Sequence, residues 1–321
     1  MNPVRKAIHT LMESTGLDRS VDHCAVNGWL ERQRAKRFPI IPADEASRWL
    51  AGVIAAGQPI AVGKIGDREC CAIAAHLGLR QFYKYTWAAP SYGEADLHRQ
   101  AGVFPPSAET YARFSEVFLE RLRNIDACAV WHNPGESEIL NRYCPTVRRL
   151  ELQALEPYFF TPPWSAQLAG KRVLVVHPFA SSIQTQFARR NLVWKKMPDV
   201  LPECEIEVIR APFGFANTQF RDWFEMLQWI EDRVVEAFAR QPFQVVLIGC
   251  GAAGIPLAAK VKELGGIGIH LGGPLQILFG IRGRRWEKLP GFDGLFNEFW
   301  IRPNSEETPE TANAVDNGGY W

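Results

Sequence analysis

The chain has 321 residues, 47% of them hydrophobic and 22% charged, and its 36 lysines and arginines balance 35 aspartates and glutamates to a formal charge of +1. This is material for one large domain or two modest ones, and the balance excludes a protein that binds nucleic acid through an overall basic surface. Cysteines at 24, 70, 71, 128, 144, 204 and 250 form no CxxC pair and no His/Cys zinc spacing; with no apolar leader and no unbroken apolar run of ~18 residues, they read as reduced thiols of a soluble, cytoplasmic chain.

Residues 1–45 form a polar, basic lead-in in which ERQRAKRF, from Glu31 to Phe38, reads as a solvated helix face. ADEASRWLAGVIAAG has helix-forming composition and ends at Gly57, a suitable C-cap. A strand is predicted over Ile60–Ile65, followed by Gly66-Asp67-Arg68-Glu69 and small helix formers. Next comes a helix with Ser107 as N-cap and Tyr111, Phe114, Phe118 and Leu122 at helical spacing. ACAVWHN is a buried strand ending at His132 and Asn133, with Glu136 and Glu138 just beyond. A further strand, Arg172–Val176, runs into a polar turn carrying His177, Ser181 and Ser182 and then a helix. EIEVIRAPFG supplies another strand, and Phe220 to Phe238 the longest amphipathic helix. FQVVLIGCGAAG, a helix from Ile255 to Leu264, and GIGIHLGG close the series.

Continuous apolar strands separated by helices predict an α/β, doubly wound, mostly parallel sheet with helices on both faces. The domain spans 46–301, and a polar tail over 302–321 ends in Tyr320 and Trp321. Open sheets of this kind bind ligands beyond the carboxyl ends of their strands. The expected rim is therefore Gly66–Glu69, His132–Glu136, His177–Ser182, Gly249–Gly254 and His270–Gln276.

Gly249, Gly251 and Gly254 stand in GxGxxG register between a strand and a helix, the context of a dinucleotide loop. The acid expected ~20 positions on is absent, since the next strand ends in His270 and glycines. The loop alternatively serves an anion at a helix start, or only a tight turn. Asp67 and Glu69, one residue apart, suit Mg²⁺ or Mn²⁺, ions that take one or two carboxylates and complete their shell with water and phosphate oxygens. The plain alternative is a pair of helix-start acids complementing the dipole.

Together, VGKIGDRECCAI, VVLIGCGAAGIPLAAKVKELG, IGIHLGG and the closing run LQILFGIRGRRW…NEFWIRP…NGGYW resemble the GT-D fold glycosyltransferases of bacterial surface-glycan systems. In that group a strand ending in Gly-Asp-x-Glu binds the metal and diphosphate of a nucleotide sugar. Many members have glycine between the two acids, where this chain has Arg68. The resemblance is anchored at residues 60–75 and 243–321. It implies a Rossmann-like glycosyltransferase of polysaccharide biosynthesis that moves a sugar from a nucleoside-diphosphate donor to a glycan or lipid-linked acceptor. A lipid-linked acceptor would require peripheral contact with a membrane.

Carried over residue by residue, Asp67 and Glu69 become the metal and diphosphate site, with Gly66 letting the ligand approach. Gly249, Gly251 and Gly254 become the nucleotide-side loop. Lys64, Arg68, His177, Ser181, Ser182, His270, Arg282 and Arg285 are candidate contacts to phosphate or sugar, and Glu136 and Glu138 are candidate general bases toward the acceptor hydroxyl. Trp87 and Trp164 are placed to line a cleft, whereas Trp223 and Trp229 belong to a core stripe. Two other readings stand beside this one: a nicotinamide- or flavin-dependent oxidoreductase built on GxGxxG, and a non-catalytic scaffold of a glycan assembly system.

Overall fold

In the computed structural model, which describes residues 31–79, 94–216 and 219–321, eight strands form one parallel sheet. They are β1 (Ile40–Ile41), β2 (Ile60–Gly63), β3 (Ala127–Val130), β4 (Arg148–Glu151), β5 (Arg172–His177), β6 (Glu205–Arg210), β7 (Val245–Ile248) and β8 (Ile267–His270). Their order is β1-β4-β3-β2-β8-β7-β5-β6. The chain winds outward from β2 to β4, crosses to β5 and β6, then returns past β5 through β7 to β8, which pairs with β2. Neither β1 nor β4 is anticipated from sequence: β1 has two residues, and RRLE carries three charges in four. Because Ile40 and Ile41 pair with Arg149 and Leu150, the sheet already begins inside the segment read as a lead-in.

Successive side chains of a strand point to opposite faces. Val173 and Val175 enter one core layer and Leu174 and Val176 the other; Val245 and Leu247 likewise part from Val246 and Ile248. This explains the uninterrupted apolar runs, since a parallel sheet is buried on both sides. Helices α2 (Asp67–His76), α3 (Glu94–Ala101), α4 (Ala108–Leu122), α5 (Glu136–Tyr143), α7 (Trp223–Arg240) and α8 (Gly254–Glu263) contribute to one layer. On the other side lie α1 (Ala43–Ala56), α6 (Ala180–Ala188), the short α9 (Pro274–Leu278) and the segment after Trp286.

Predicted caps form where their chemistry requires. Gly57 takes a left-handed φ of 67° after α1, and Ser107 accepts from Thr110 N–H at the start of α4. Asp222 caps α7 by accepting from Glu225 N–H at 2.8 Å. That helix buries Trp223, Leu227, Ile230 and Val234, each such side chain contributing about 1.5–3 kcal/mol of transfer free energy. Trp229 is partly buried against the same core, as the stripe predicts.

The tail packs back onto the fold. Trp321 Nε1–H donates to the Glu307 carbonyl at 2.9 Å, and Arg302 Nη1 donates to the Trp321 carbonyl at 2.7 Å. Val315 and Trp321 join the core of the α6 and α9 face. No helix among the described residues is long and apolar enough to cross a membrane, and the six cysteines described are all free.

Candidate functional site

The carboxyl ends of β2 through β8 surround one cleft of about 490 Å³. Lys64, Gly66, Asp67, Arg68 and Glu69 enter it after β2, His177 as the last residue of β5, Gly249 and Gly251 after β7, His270 as the last residue of β8, and Arg285 from the segment beyond α9. These ten predicted residues are thus brought together although more than 200 positions separate the first from the last.

At α2, Gly66 is the N-cap, with φ −65° and ψ 159°. Glu69 lies three residues on and folds its carboxylate back over the glycine, so closely that a Cβ on Gly66 would overlap it. Glu69 is buried, and burial pushes its carboxyl up to about 7; its own backbone N–H opposes the rise and the Asp67 carboxylate adds to it. Asp67 stays at the surface with about half its side chain exposed, accepting from Arg68 N–H at 2.8 Å and pairing with Arg68 Nε at 3.4 Å. Two hard carboxylates at a cleft wall match the donor set of Mg²⁺ or Mn²⁺, which leave much of their shell to water and phosphate oxygens. A cluster of three or more His, Cys, Asp or Glu side chains suited to metal does not occur among the described residues.

Lys64 lies across the cleft floor with Nζ 4.1 Å from the centroid of the Trp131 ring. Burial pulls its ammonium down to about 8, while the Glu69 carboxylate favours the charged form and the Arg285 guanidinium opposes it. Arg285 pairs with Asp316 of the tail at 3.6 Å. Glu156, beyond β4, also lines the cleft and accepts from Tyr158 O–H at 3.2 Å; burial raises its carboxyl pKa.

The two histidines hold the middle of the sheet edge. His177 Nδ1 accepts from Phe179 N–H at 3.0 Å, which in the neutral ring leaves the proton on Nε2. Burial drives both His177 and His270 down to about 3. The three glycines of the GxGxxG register are explained by packing around these rings and one neighbouring helix. A Cβ at Gly249 would stand 2.5 Å from His177 Cδ2, and one at Gly254 would overlap the His270 ring. At Gly251, φ is +58° and Ala101 O would lie 2.9 Å from a Cβ.

Other predicted residues lie elsewhere. Gly254 is buried beneath His270 and does not reach the cleft. Glu136 is fully buried, accepting from Trp131 N–H and Asn133 N–H; burial pushes its carboxyl up to about 8. It fastens the turn after β3 instead of facing an acceptor. Glu138 turns outward to Arg142, one helical turn on. Ser181 and Ser182 are taken by the tail: Glu307, itself buried, accepts from Ser181 N–H at 2.7 Å, Ser182 N–H at 3.2 Å and Ser182 Oγ–H at 2.5 Å. Arg282 pairs with Glu287 at 3.8 Å and is absent from the cleft wall. Trp164 is buried in the core, donating to the Ala154 carbonyl at 3.0 Å, and Trp87 falls outside the described residues.

Sequence reasoning missed Trp131, Glu156, Trp286, Tyr320 and Trp321 as cleft residues. The charged pattern of β4 hid Glu156, because without that strand its position at the sheet edge is not apparent. Glu31 was missed too. Read as part of a solvated face, it is fully buried and accepts from Gly135 N–H at 3.2 Å and Ser137 N–H at 2.8 Å, closing the start of α5.

No family model and no curated protein matches the chain. A solved structure described as a highly conserved domain of unknown function 1792 with a distinct glycosyltransferase fold is similar at 12% identity and a TM-score of 0.47, covering 87% of this chain and 96% of its own. At that distance the functional reading rests on the residues of the cleft.

Proposed function

We propose that the chain is a glycosyltransferase using a nucleoside-diphosphate sugar, with the donor's diphosphate held over the start of α2. The observation that carries this reading is the meeting, in one cleft, of Asp67 and Glu69 with two cations, Lys64 and Arg285. An anion among hydrogen-bond donors and charges fixed in advance is stabilised as its charge grows, which is the requirement of a departing diphosphate. Asp67 and Glu69 would hold Mg²⁺ or Mn²⁺, whose chemistry when bound is to neutralise charge on the leaving group. Lys64 and Arg285 add positive charge from two sides, and neutral His177 presents Nε2–H beside Gly249 for a phosphate or sugar oxygen. Since Glu136 and Glu138 are engaged elsewhere, Glu156 takes the base role. Its carboxylate accepts the proton of the acceptor hydroxyl as that oxygen bonds to the anomeric carbon and the diphosphate leaves. A glycan or a lipid-linked sugar supplies the hydroxyl, the latter by peripheral approach to a membrane.

The test is calorimetric titration of UDP and GDP with and without Mn²⁺, on the wild type and on Asp67→Ala. Metal-dependent binding that weakens by at least about 10-fold in Asp67→Ala is expected, because removing even a residue that only supports a metal ligand costs about 10–100-fold. Absence of binding by either nucleotide under every condition would sink the proposal. The oxidoreductase reading has less support, because Gly249, Gly251 and Gly254 each have an internal packing reason and β8 ends without an acid.

A further inference from the structure

The cleft is not uniform. Its β2 and β4 side carries Lys64, Asp67, Glu69 and Glu156, and the rings there, Trp131 and Trp286, already face Lys64 and Arg285; its β6 side carries aromatic rings without such a cation among the described residues. There Phe213 stands with its centroid 5.4 Å from Phe215 and 5.8 Å from Trp321, and Phe215 lies 6.1 Å from Trp321. Phe213 and Phe215 are only half-buried and open to the cleft, whereas Trp321 behind them is buried. Tyr320 joins the two sides: its ring is 6.1 Å from Trp321, and Arg285, Asp316, Glu69 and Asp67 are close enough to act on its hydroxyl.

The aromatic wall is held in place by backbone contacts. A Cβ at Gly214 would overlap the Gly102 carbonyl, and Gly251 makes a similar approach to Ala101, so the loop bearing Phe213 and Phe215 and the turn after β7 both pack closely against the end of α3. Trp321 is fixed by its bonds to Glu307 and Arg302. Gln100, the nearby amide side chain, is occupied with the Ala314 carbonyl and the Asp316 N–H of the tail. A ligand spanning this cleft therefore meets uncovered π faces at one end and, at the other, fixed charges whose neighbouring rings already face cations. A planar ring and an anionic group carried by one molecule satisfy both ends; a bare sugar or an alkyl chain satisfies one.

We infer that Phe213 and Phe215, backed by Trp321, are the stacking subsite for the nucleobase of a nucleoside diphosphate whose phosphates lie at the β2 end. This rests on the donor reading above and adds the ligand's direction in the cleft. It also places the base against the loop after β6, away from the helix that follows GxGxxG.

The experiment titrates UDP and, separately, inorganic pyrophosphate, both with Mg²⁺, into the wild type and into the double variant Phe213→Leu/Phe215→Leu. Leucine keeps both positions apolar at a smaller volume and removes the π face, and thermal melting of both proteins verifies that the fold is kept. The expected result is a loss of about 10-fold or more in UDP affinity, the scale of base–aromatic stacking, with pyrophosphate affinity unchanged. Equal UDP affinity in both proteins, or equal loss for both ligands, overturns the inference. Wild-type protein that binds pyrophosphate no more weakly than UDP also overturns it while leaving the anion site intact. Binding of neither ligand removes the donor reading, and the base subsite with it.

Discussion

Two helix starts follow carboxyl ends of the same parallel sheet and end differently. At α2, Asp67 is half exposed at the cleft and the buried Glu69 beside it folds over a glycine. At α6, the N–H groups of Ser181 and Ser182 and the Ser182 hydroxyl are taken by Glu307, 125 residues away in sequence. A helix start has free donors and a favourable dipole whichever anion meets it. Whether that anion is a ligand or a carboxylate of the chain itself is decided by long-range packing. The start of α5 repeats the closed arrangement, with Glu31 serving Gly135 and Ser137. Of these three positions, α2 alone is met by acids of its own first turn, Asp67 and Glu69, and these line the cleft, where a ligand can reach them.

The largest effect expected from testing this contrast comes from Glu307→Ala. Removing the carboxylate leaves three donors at α6 without their acceptor, at about 1–3 kcal/mol for each that water fails to reach. Denaturant unfolding should register a loss of at least about 3 kcal/mol, whereas a change near zero would mean that α6 does not depend on its plug.

Next in size is the acid sensitivity conferred by the histidines. In the unfolded chain they protonate near 6.5, but folded His177 and His270 resist protonation until about 3. Over that interval the unfolded state binds more protons, so stability is full above about pH 6.5 and falls as pH drops toward 3. Each ring contributes a slope of up to about 1.4 kcal/mol per pH unit. His177→Asn, whose Oδ1 can accept the Phe179 N–H in place of Nδ1, should remove one ring's share from urea unfolding curves collected between pH 6.5 and 4. An unaltered slope would show that His177 protonates freely in the folded protein.

Gly66→Ala should be milder. Its added Cβ displaces only the end of the Glu69 side chain, and the N-cap exchange costs about 1 kcal/mol or less. The melting temperature should hardly move while metal-dependent UDP binding weakens. A melting shift as large as that of Glu307→Ala would erase the distinction between the two helix starts. The smallest change is expected for Glu138→Ala, which breaks a solvent-facing pair with Arg142 and should alter stability by about 0.5 kcal/mol or less; a larger loss in the same unfolding assay would give Glu138 a structural role that its position does not suggest.

The local chemistry of the chain determined much of this architecture. Apolar runs in β5 and β7, the helical spacing of Tyr111 to Leu122, and the caps at Gly57 and Ser107 depend on neighbours within a few residues, which a linear reading contains. The same reading placed Lys64, Asp67, Glu69, His177, Gly249 and His270 at strand ends, and parallel strands bring their carboxyl ends to one edge. What only tertiary structure decided is which of these groups reach ligand and which are spent on the protein. Glu31, Glu136 and Glu307 are chemically as able as Asp67 to bind at a site, yet each is buried against backbone N–H groups. Gly254 makes room for a histidine sixteen positions on. The tail's Tyr320 and Trp321 become cleft wall because their rings find apolar and aromatic partners across the sheet edge. Hydrophobic burial has no direction along the chain and the cost of closing a long loop grows only slowly with its length, so such partners leave little trace in a sequence read from one residue to the next.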